Sequence, residues 1–314
     1  ILYGINSHIE FKKGSERRME IHELLRKFRK ERGLSQKELA HKITSRESLV
    51  KYESGKNQIP LIPLLAFLKK MNIELDECLF YLNKINGNHP RQKLNQLLSQ
   101  LEDVQLPIDD RLRNLELDIK KTKSIVDKRN YLIAKGYQWH LLPNDERKFT
   151  LHDKVYIKAI MNHLEKVAEY GRFEIVTFTS LAFLFTTEFI QMQASKVERM
   201  GDNENFLSSL CTLYHVLFLL MLERKESGYS KEYLEKLKMV RGRLVTPQKT
   251  EVHERFDDLL LNSLVERTAN PKQLTDFFMW IRLIGATQLE EEFLLALKKY
   301  ERLYGLSLLP SIIE

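Results

Sequence analysis

Cysteine is nearly absent from this chain: its 314 residues hold two, Cys78 and Cys211. A disulfide scaffold is therefore excluded, and a reducing, cytoplasmic compartment is expected. Cys78 is read as a half-buried structural side chain, ahead of a regulatory thiol. Long apolar runs are missing as well. The stretch LYHVLFLLML covers only residues 213–222, against the ~20 residues of a membrane span. It reads as a core helix, and no membrane association is expected. Signatures of enzymes are missing too. The chain has no glycine-rich phosphate loop and no G-x-S-x-G, and its nine histidines never take an H-x3-H or H-E-x2-H spacing. Asp109–Asp110 and Asp257–Asp258 are adjacent pairs on helices, so their carboxylates point apart. No catalytic centre, metal or cofactor is expected.

What is present is helix. Residues 34–55, LSQKELAHKITSRESLVKYESG, carry the sharpest signal. Ser35 followed three residues later by Glu38 is a capping box. Leu39 and Ile43 lie four apart on an apolar face. Thr44 and Ser45 break that pattern and offer a second cap. A helix then turns Leu49 and Tyr52 inward before Gly55 ends it. Its outer side keeps Arg46, Glu47, Ser48 and Lys51, the hydrogen-bonding residue types that a recognition helix brings to base edges and phosphates. Upstream, Ile21, Leu24, Leu25 and Phe28 form a first helix closed by Arg32–Gly33. Downstream, Pro60 and Pro63 precede a helix with Leu64, Leu65, Phe67, Leu68 and Met71. LSQ followed by a spaced YExG resembles the XRE-like repressor family, and that resemblance implies a phosphate contact for Gln36.

Charge agrees. Residues 1–84 hold seventeen Lys and Arg against eleven Asp and Glu, and the remaining residues hold 33 against 32. Nearly all of the net charge of +7 thus lies in the N-terminal part, where release of phosphate counterions would use it. The chain opens at Ile1, while Met19 begins the first helix. Residues 1–18 are set aside as an added or upstream extension.

A helix-turn-helix domain is expected over 19–82, a linker over 83–90 (NKINGNHP) and a second domain over 91–314. Beyond the linker there is almost no strand signal. Leu94, Leu97, Leu98 and Leu101 form one apolar stripe; Leu112, Leu115 and Ile119 form another after Pro107; Leu151, Val155, Ile160, Leu164 and Val167 form a third. Further helices start near Arg172, Asn203, Ser230, Pro247, Pro271 and Leu289. Helices paired at intervals of ~35–40 residues point to a degenerate tetratricopeptide-like repeat array, with an irregular bundle as the fallback. The fold class expected is all-α.

This order of parts resembles the Rgg family of transcription regulators. SRESLVKYESG looks like that family's S-x-S-x-L-S-R-F-E-R-G segment, and MNIELDECL (71–79) is similar to the end of its DNA-binding domain. EYGRFEIVTF (169–178) looks like its W-G-x-Y-E-L-x-L-F stretch, with Tyr170 and Phe173 in place of Trp and Tyr. The resemblance implies a homodimer on palindromic double-stranded promoter DNA, with a short signalling peptide received by the repeat domain. Arg46, Glu47 and Ser48 are then expected at bases, and Gln36, Lys51 and Lys56 at phosphates, with Ser45 at the helix start.

For the peptide, Arg172, Thr179, Thr186 and Gln193 recur at every seventh position and would share a drifting stripe of one helix. Ser208, Thr212 and His215 form a second stripe beside Tyr214. Either stripe could hold peptide carbonyls or be a solvated face. The aromatic block Phe277, Phe278, Met279 and Trp280 reads as core packing between terminal repeats or as a dimer interface. Two other functions stay open: a helical-repeat scaffold or peptide-binding protein, and a repressor sensing a small molecule or no ligand.

Overall fold

The computed structural model of this chain describes residues 20–86, 97, 108–141, 148–198, 206–244, 248–268 and 271–308. Every regular element among them is helical. The chain divides into two compact units, one within residues 7–107 and the other within 108–314.

The first unit contains α1 (Ile21–Glu31), α2 (Gln36–Ala40), α3 (Arg46–Glu53), α4 (Leu61–Lys70) and α5 (Leu75–Asn86). The expected caps form. Ser35 Oγ accepts the Glu38 N–H at 3.1 Å, and Glu38 Oε2 accepts the Ser35 N–H at 2.8 Å. Gly33 and Gly55 end α1 and α3 at φ of 64° and 72°, the left-handed region in which a Cβ is strained. Leu24, Leu25, Phe28, Leu39, Leu49, Phe67 and Leu68 close one apolar core. Cys78 belongs to that core at 1% exposure, deeper than its half-buried reading, and burial raises its thiol pKa. The sequence LNKIN of α5 carries the helix through Asn86, into the segment read as a linker. Residues 87–90, and Leu94, Leu98 and Leu101, lie outside the described residues; Leu97 is buried.

Within this apolar core sits one ion pair. Arg29 Nε and Nη2 donate to Glu53 Oε1 and Oε2 at 2.6 and 2.9 Å, and Arg29 Nη1 donates to the Leu34 carbonyl at 2.7 Å. Both residues are buried. A bidentate pair with the third guanidinium nitrogen also bonded is the geometry that offsets the desolvation of two charges. It joins α1 to the last turn of α3.

The second unit contains α6 (Ile108–Thr122), α7 (Ile125–Leu141), α8 (Leu151–Lys166), α9 (Arg172–Leu181), α10 (Thr187–Glu198), α11 (Leu207–Glu223), α12 (Ser227–Arg241), α13 (Gln248–Leu261), α14 (Pro271–Leu283) and α15 (Thr287–Tyr304). Neighbours in sequence pack together, as α6 on α7 and α11 on α12 do. In addition α7 packs on α9 and α9 on α11, each skipping one helix. Contact between alternate helices is how stacked helix pairs bury a shared core. Helix α7 escaped the sequence reading for a physical reason. Residues 129–134 are buried without interruption, so no polar face marks the helical period. Tyr131 fixes it to α8 by donating to Asp153 Oδ1 at 2.9 Å, while Asp153 Oδ2 accepts the Thr150 N–H.

A second ion pair joins α11 to α13. His215 Nδ1 lies 2.8 Å from Asp257 Oδ2, and Asp257 is 1% exposed. Arg241, also buried, pairs with Glu254 of α13.

Two predictions concern these pairs. Arg29→Ala or Glu53→Ala is expected to cost about 3–5 kcal/mol, because each strands a buried charge. Arg29→Met with Glu53→Leu together should recover most of that loss. Native-state hydrogen exchange of the α1 and α3 amides measures both. Burial alone would raise the Glu53 pKa, but hydrogen bonds from Arg29 and Gln36 and the charges of Arg29 and Arg26 lower it overall from 4.5. This stabilisation is therefore complete above 4.5 and is lost as pH falls through the lower folded value. His215 behaves oppositely. Burial lowers its pKa and Asp257 raises it, with a net rise from 6.5. Its contribution is complete below 6.5 and is lost as pH rises through the folded value. Thermal melts of the full chain on the alkaline side should fall with pH, and His215→Gln should flatten that part of the profile.

Candidate nucleic-acid interface and ligand-facing helices

Helix α3 begins at Ser45, whose Oγ accepts the Ser48 N–H at 3.0 Å and also meets Ser48 Oγ at 2.9 Å. Ser45 is thus used as the cap, and Ser48 is half-buried beside it. Projected at 100° per residue, Arg46, Val50, Ser54, Glu47 and Lys51 occupy one continuous arc. All five are exposed. Leu49, Tyr52 and Glu53 occupy the opposite side and turn inward. The arc therefore includes Arg46, Glu47 and Lys51 as expected and puts Ser48 at its edge. It also adds Val50, 40% exposed. An apolar group there suits a thymine methyl. Its signal in the sequence was its offset from Leu49 and Tyr52.

Gln36 is half-buried, and its Nε2 donates to Glu53 Oε2 at 3.0 Å. The residue expected at a phosphate is thus held by the same carboxylate that receives Arg29. Lys56 is exposed just past α3, where its backbone N–H caps the Lys51 carbonyl at 3.0 Å. Lys70, absent from the sequence reading, closes the end of α2 by donating from Nζ to the Glu38 and His41 carbonyls.

In the second unit, the seven-residue stripe is broken. Helix α9 stops at Leu181, a 3-10 turn follows over Ala182–Leu184, and α10 starts at Thr187. Gln193 is fully buried and accepts the Tyr170 hydroxyl at 2.6 Å. Thr186 Oγ1 accepts the Phe189 N–H at 3.3 Å as a cap. Thr179 Oγ1 donates to the Ile175 carbonyl at 2.7 Å. The four residues therefore do not form the single track that a continuous helix would give. What α9 keeps open is Arg172, exposed, with Val176, Thr179 and Ser180 half-buried on the same arc.

On α11, Ser208, Thr212, His215 and Leu219 fall within one narrow stripe. The first two are exposed and the last two half-buried. Nearly every other residue of α11 is buried. Tyr214 faces the other way. It is 4% exposed and stacks on Tyr233 with ring centroids 6.3 Å apart. Burial pushes its pKa up to about 12. The aromatic block divides likewise: Phe277 and Phe278 are buried, and Met279 and Trp280 are exposed.

No group of His, Cys, Asp and Glu among the described residues could hold a metal, and no described helix is long and apolar enough to cross a membrane.

Residues 25–78 match the family model described as helix-turn-helix. No curated protein matches the chain by sequence. Solved structures match nearly all of it. A Listeria monocytogenes EGD-e protein, described as a candidate transcriptional regulator, superimposes with a TM-score of 0.72 at 19% identity, covering 91% of this chain and 99% of its own. The Streptococcus dysgalactiae SHP pheromone receptor Rgg2 gives 0.67 at 14% identity, over 90% and 99%. PrgX in complex with cCF10 gives 0.68 at 14% identity, over 90% and 92%. The family and fold neighbours of this chain are regulators rather than enzymes. The chain carries a helix-turn-helix domain of XRE type at residues 25–78, and over 90% of its length it has the fold of the Rgg and PrgX regulators.

Proposed function

We propose that this chain is a cytoplasmic, sequence-specific DNA-binding transcription regulator, and that its helical-repeat unit binds a short signalling peptide to switch promoter activity. The observation that carries the DNA-binding part is the exposed arc of α3, anchored from beneath by Arg29 and Glu53. Arg46, Glu47 and Val50 meet bases, with Ser48 at the edge of the contact. Lys51, Lys56 and Gln36 meet phosphates, Gln36 through the part of its amide that Glu53 leaves over. Ser45 holds the start of the helix in place.

The peptide part is supported by the open arc of α9 and the stripe of α11 on two helices that pack together. It is supported also by likeness to PrgX, whose complex with cCF10 has this fold. Arg172, Thr179 and His215 are the polar groups we assign to the peptide, joined by Ser208 and Thr212. Tyr214, a buried stacking partner, supports the face from behind, and Thr186, exposed, caps the start of α10.

The working species is a homodimer on a palindromic site. Met279, Trp280, Leu283, Ile284 and Leu295 stay exposed on and around α14 and α15, as the apolar core of a subunit interface requires. Residues 19–86 form the reading head, with α5 ending at Asn86, 87–90 the connection, and 91–314 the sensing and dimerising part. With two-fold symmetry the half-sites lie about 34 Å apart.

Duplex binding by the full chain is expected to weaken steeply with salt; binding insensitive to salt would favour a protein-scaffold role. Arg46→Ala should relax sequence preference by about 1–3 kcal/mol. Lys51→Ala should weaken all sequences alike and reduce the salt slope by about 1. Titrations against a selected operator and its single-base variants measure both. Arg172→Ala should remove the response to peptide while DNA binding without peptide stays intact. An unchanged response would remove α9 from the peptide site.

A further inference from the structure

The exposed arc of α3 carries one residue that a DNA-binding surface has reason to avoid. Glu47 is exposed on the same arc as Arg46 and Lys51, and a carboxylate facing a duplex is repelled by the phosphates that attract those two cations. Lys51 follows it by about one helical turn, the spacing of an i,i+4 ion pair, yet the two do not pair. Among the described residues, the ion pairs of this unit are Lys27–Glu31 and Arg29–Glu53. Arg46 is likewise without a partner among them. A glutamate in the first turn suits the helix dipole, but that benefit is the same whatever DNA is bound.

The chemistry open to a carboxylate in a major groove is narrow. It accepts from the N4 amino group of cytosine and is repelled by the keto oxygens of guanine and thymine. Adenine sets its N7 acceptor beside its N6 amino group, so it suits a carboxylate less well than cytosine does. Arg46 is complementary, because its fork takes the O6 and N7 acceptors of guanine. Val50 lies between them on the arc, about 40° from Arg46 and about 60° from Glu47. It is 40% exposed and offers only methyl groups, which fit the apolar feature of the groove, the thymine methyl. Along the helix axis it stands about 6 Å from Arg46, or about two base steps of a duplex.

We propose that α3 reads a half-site in which Arg46 contacts guanine, Glu47 the amino group of cytosine, and Val50 the methyl of a thymine within about two base steps of that guanine. This rests on the DNA-binding reading above, to which it adds the identity of the bases. Glu47 acts chiefly by exclusion. Specificity is a difference of affinities, and a repulsive group that lowers binding to wrong sequences raises it.

The test begins with selection of duplexes from a random pool by the full chain, in parallel with Arg46→Ala, Glu47→Gln and Val50→Ala. The position at which each variant loses its preference is the position that residue reads. Guanine, cytosine and thymine are expected there in turn. On the selected operator, exchanging that cytosine for thymine should cost the wild type about 10-fold and Glu47→Gln little. A glutamate that only stabilised the helix would give no gain of affinity on removal, and one that only repelled phosphates would give the same gain on every sequence; either result would overturn the role of Glu47. Two base analogues test the wild type without any variant. Uracil in place of the thymine removes only a methyl and should cost about 3- to 5-fold, a loss that Val50→Ala should not show. Deazaguanine lacking N7, placed at the Arg46 position, should cost about 10-fold. Another base at any of the three positions, or no cost from either analogue, would overturn the half-site and leave the DNA-binding reading standing. Failure to select any preferred sequence would overturn both.

Discussion

The bidentate contact between Arg29 and Glu53 is the constraint on which the N-terminal unit depends. Helix α3 has only eight residues, too few to be stable alone in water. Its inward side offers Leu49 to the core and little else that is fully apolar. The carboxylate of Glu53, in its last turn, accepts three hydrogen bonds from two partners: the fork of Arg29 and the amide of Gln36. Through Arg29 it reaches the Leu34 carbonyl at the entrance to α2. One buried anion thus fixes the relative placement of α1, α2 and α3, which is what allows a short helix to present Arg46, Val50 and Lys51 in a defined direction. An apolar contact in its place would hold the helices together without fixing their rotation as tightly.

The helical-repeat unit solves a different problem. Its helices α7 and α11 are buried on nearly all sides, so their neighbours supply the solvent-facing surface. Helix α11 then has room for one polar stripe, and α9, packed against it, keeps one arc. Polar groups in this interior are paired in part, Tyr131 with Asp153, Tyr170 with Gln193 and His215 with Asp257, while Thr177 Oγ1, Gln193 Nε2, the Tyr233 hydroxyl and Asp257 Oδ1 are buried without a hydrogen-bond partner.

The ion pairs of the two units also respond to pH in opposite senses. Glu53 loses its charge on acidification and His215 loses its charge on alkalinisation. Acidification therefore weakens the pair of the first unit, and alkalinisation the pair of the second.

The sequence by itself determined the elements whose two faces differ. The Ser35–Glu38 and Ser45 caps, Gly33 and Gly55, the core of α1 to α4 and the core character of residues 213–222 were all legible, because capping and amphipathic periodicity are local properties of the chain. The outer residues Arg46, Glu47 and Lys51 were legible for the same reason. Tertiary structure alone decided the rest. It broke the Arg172–Gln193 stripe at Leu181, turned Tyr214 inward and committed Gln36 to Glu53. It also enclosed α7, whose burial on all sides erased the periodicity that would have announced it. Which face of a helix meets water, and which buried donor finds an acceptor, depends on neighbours far away in the chain, and spacing along the sequence carries no record of them.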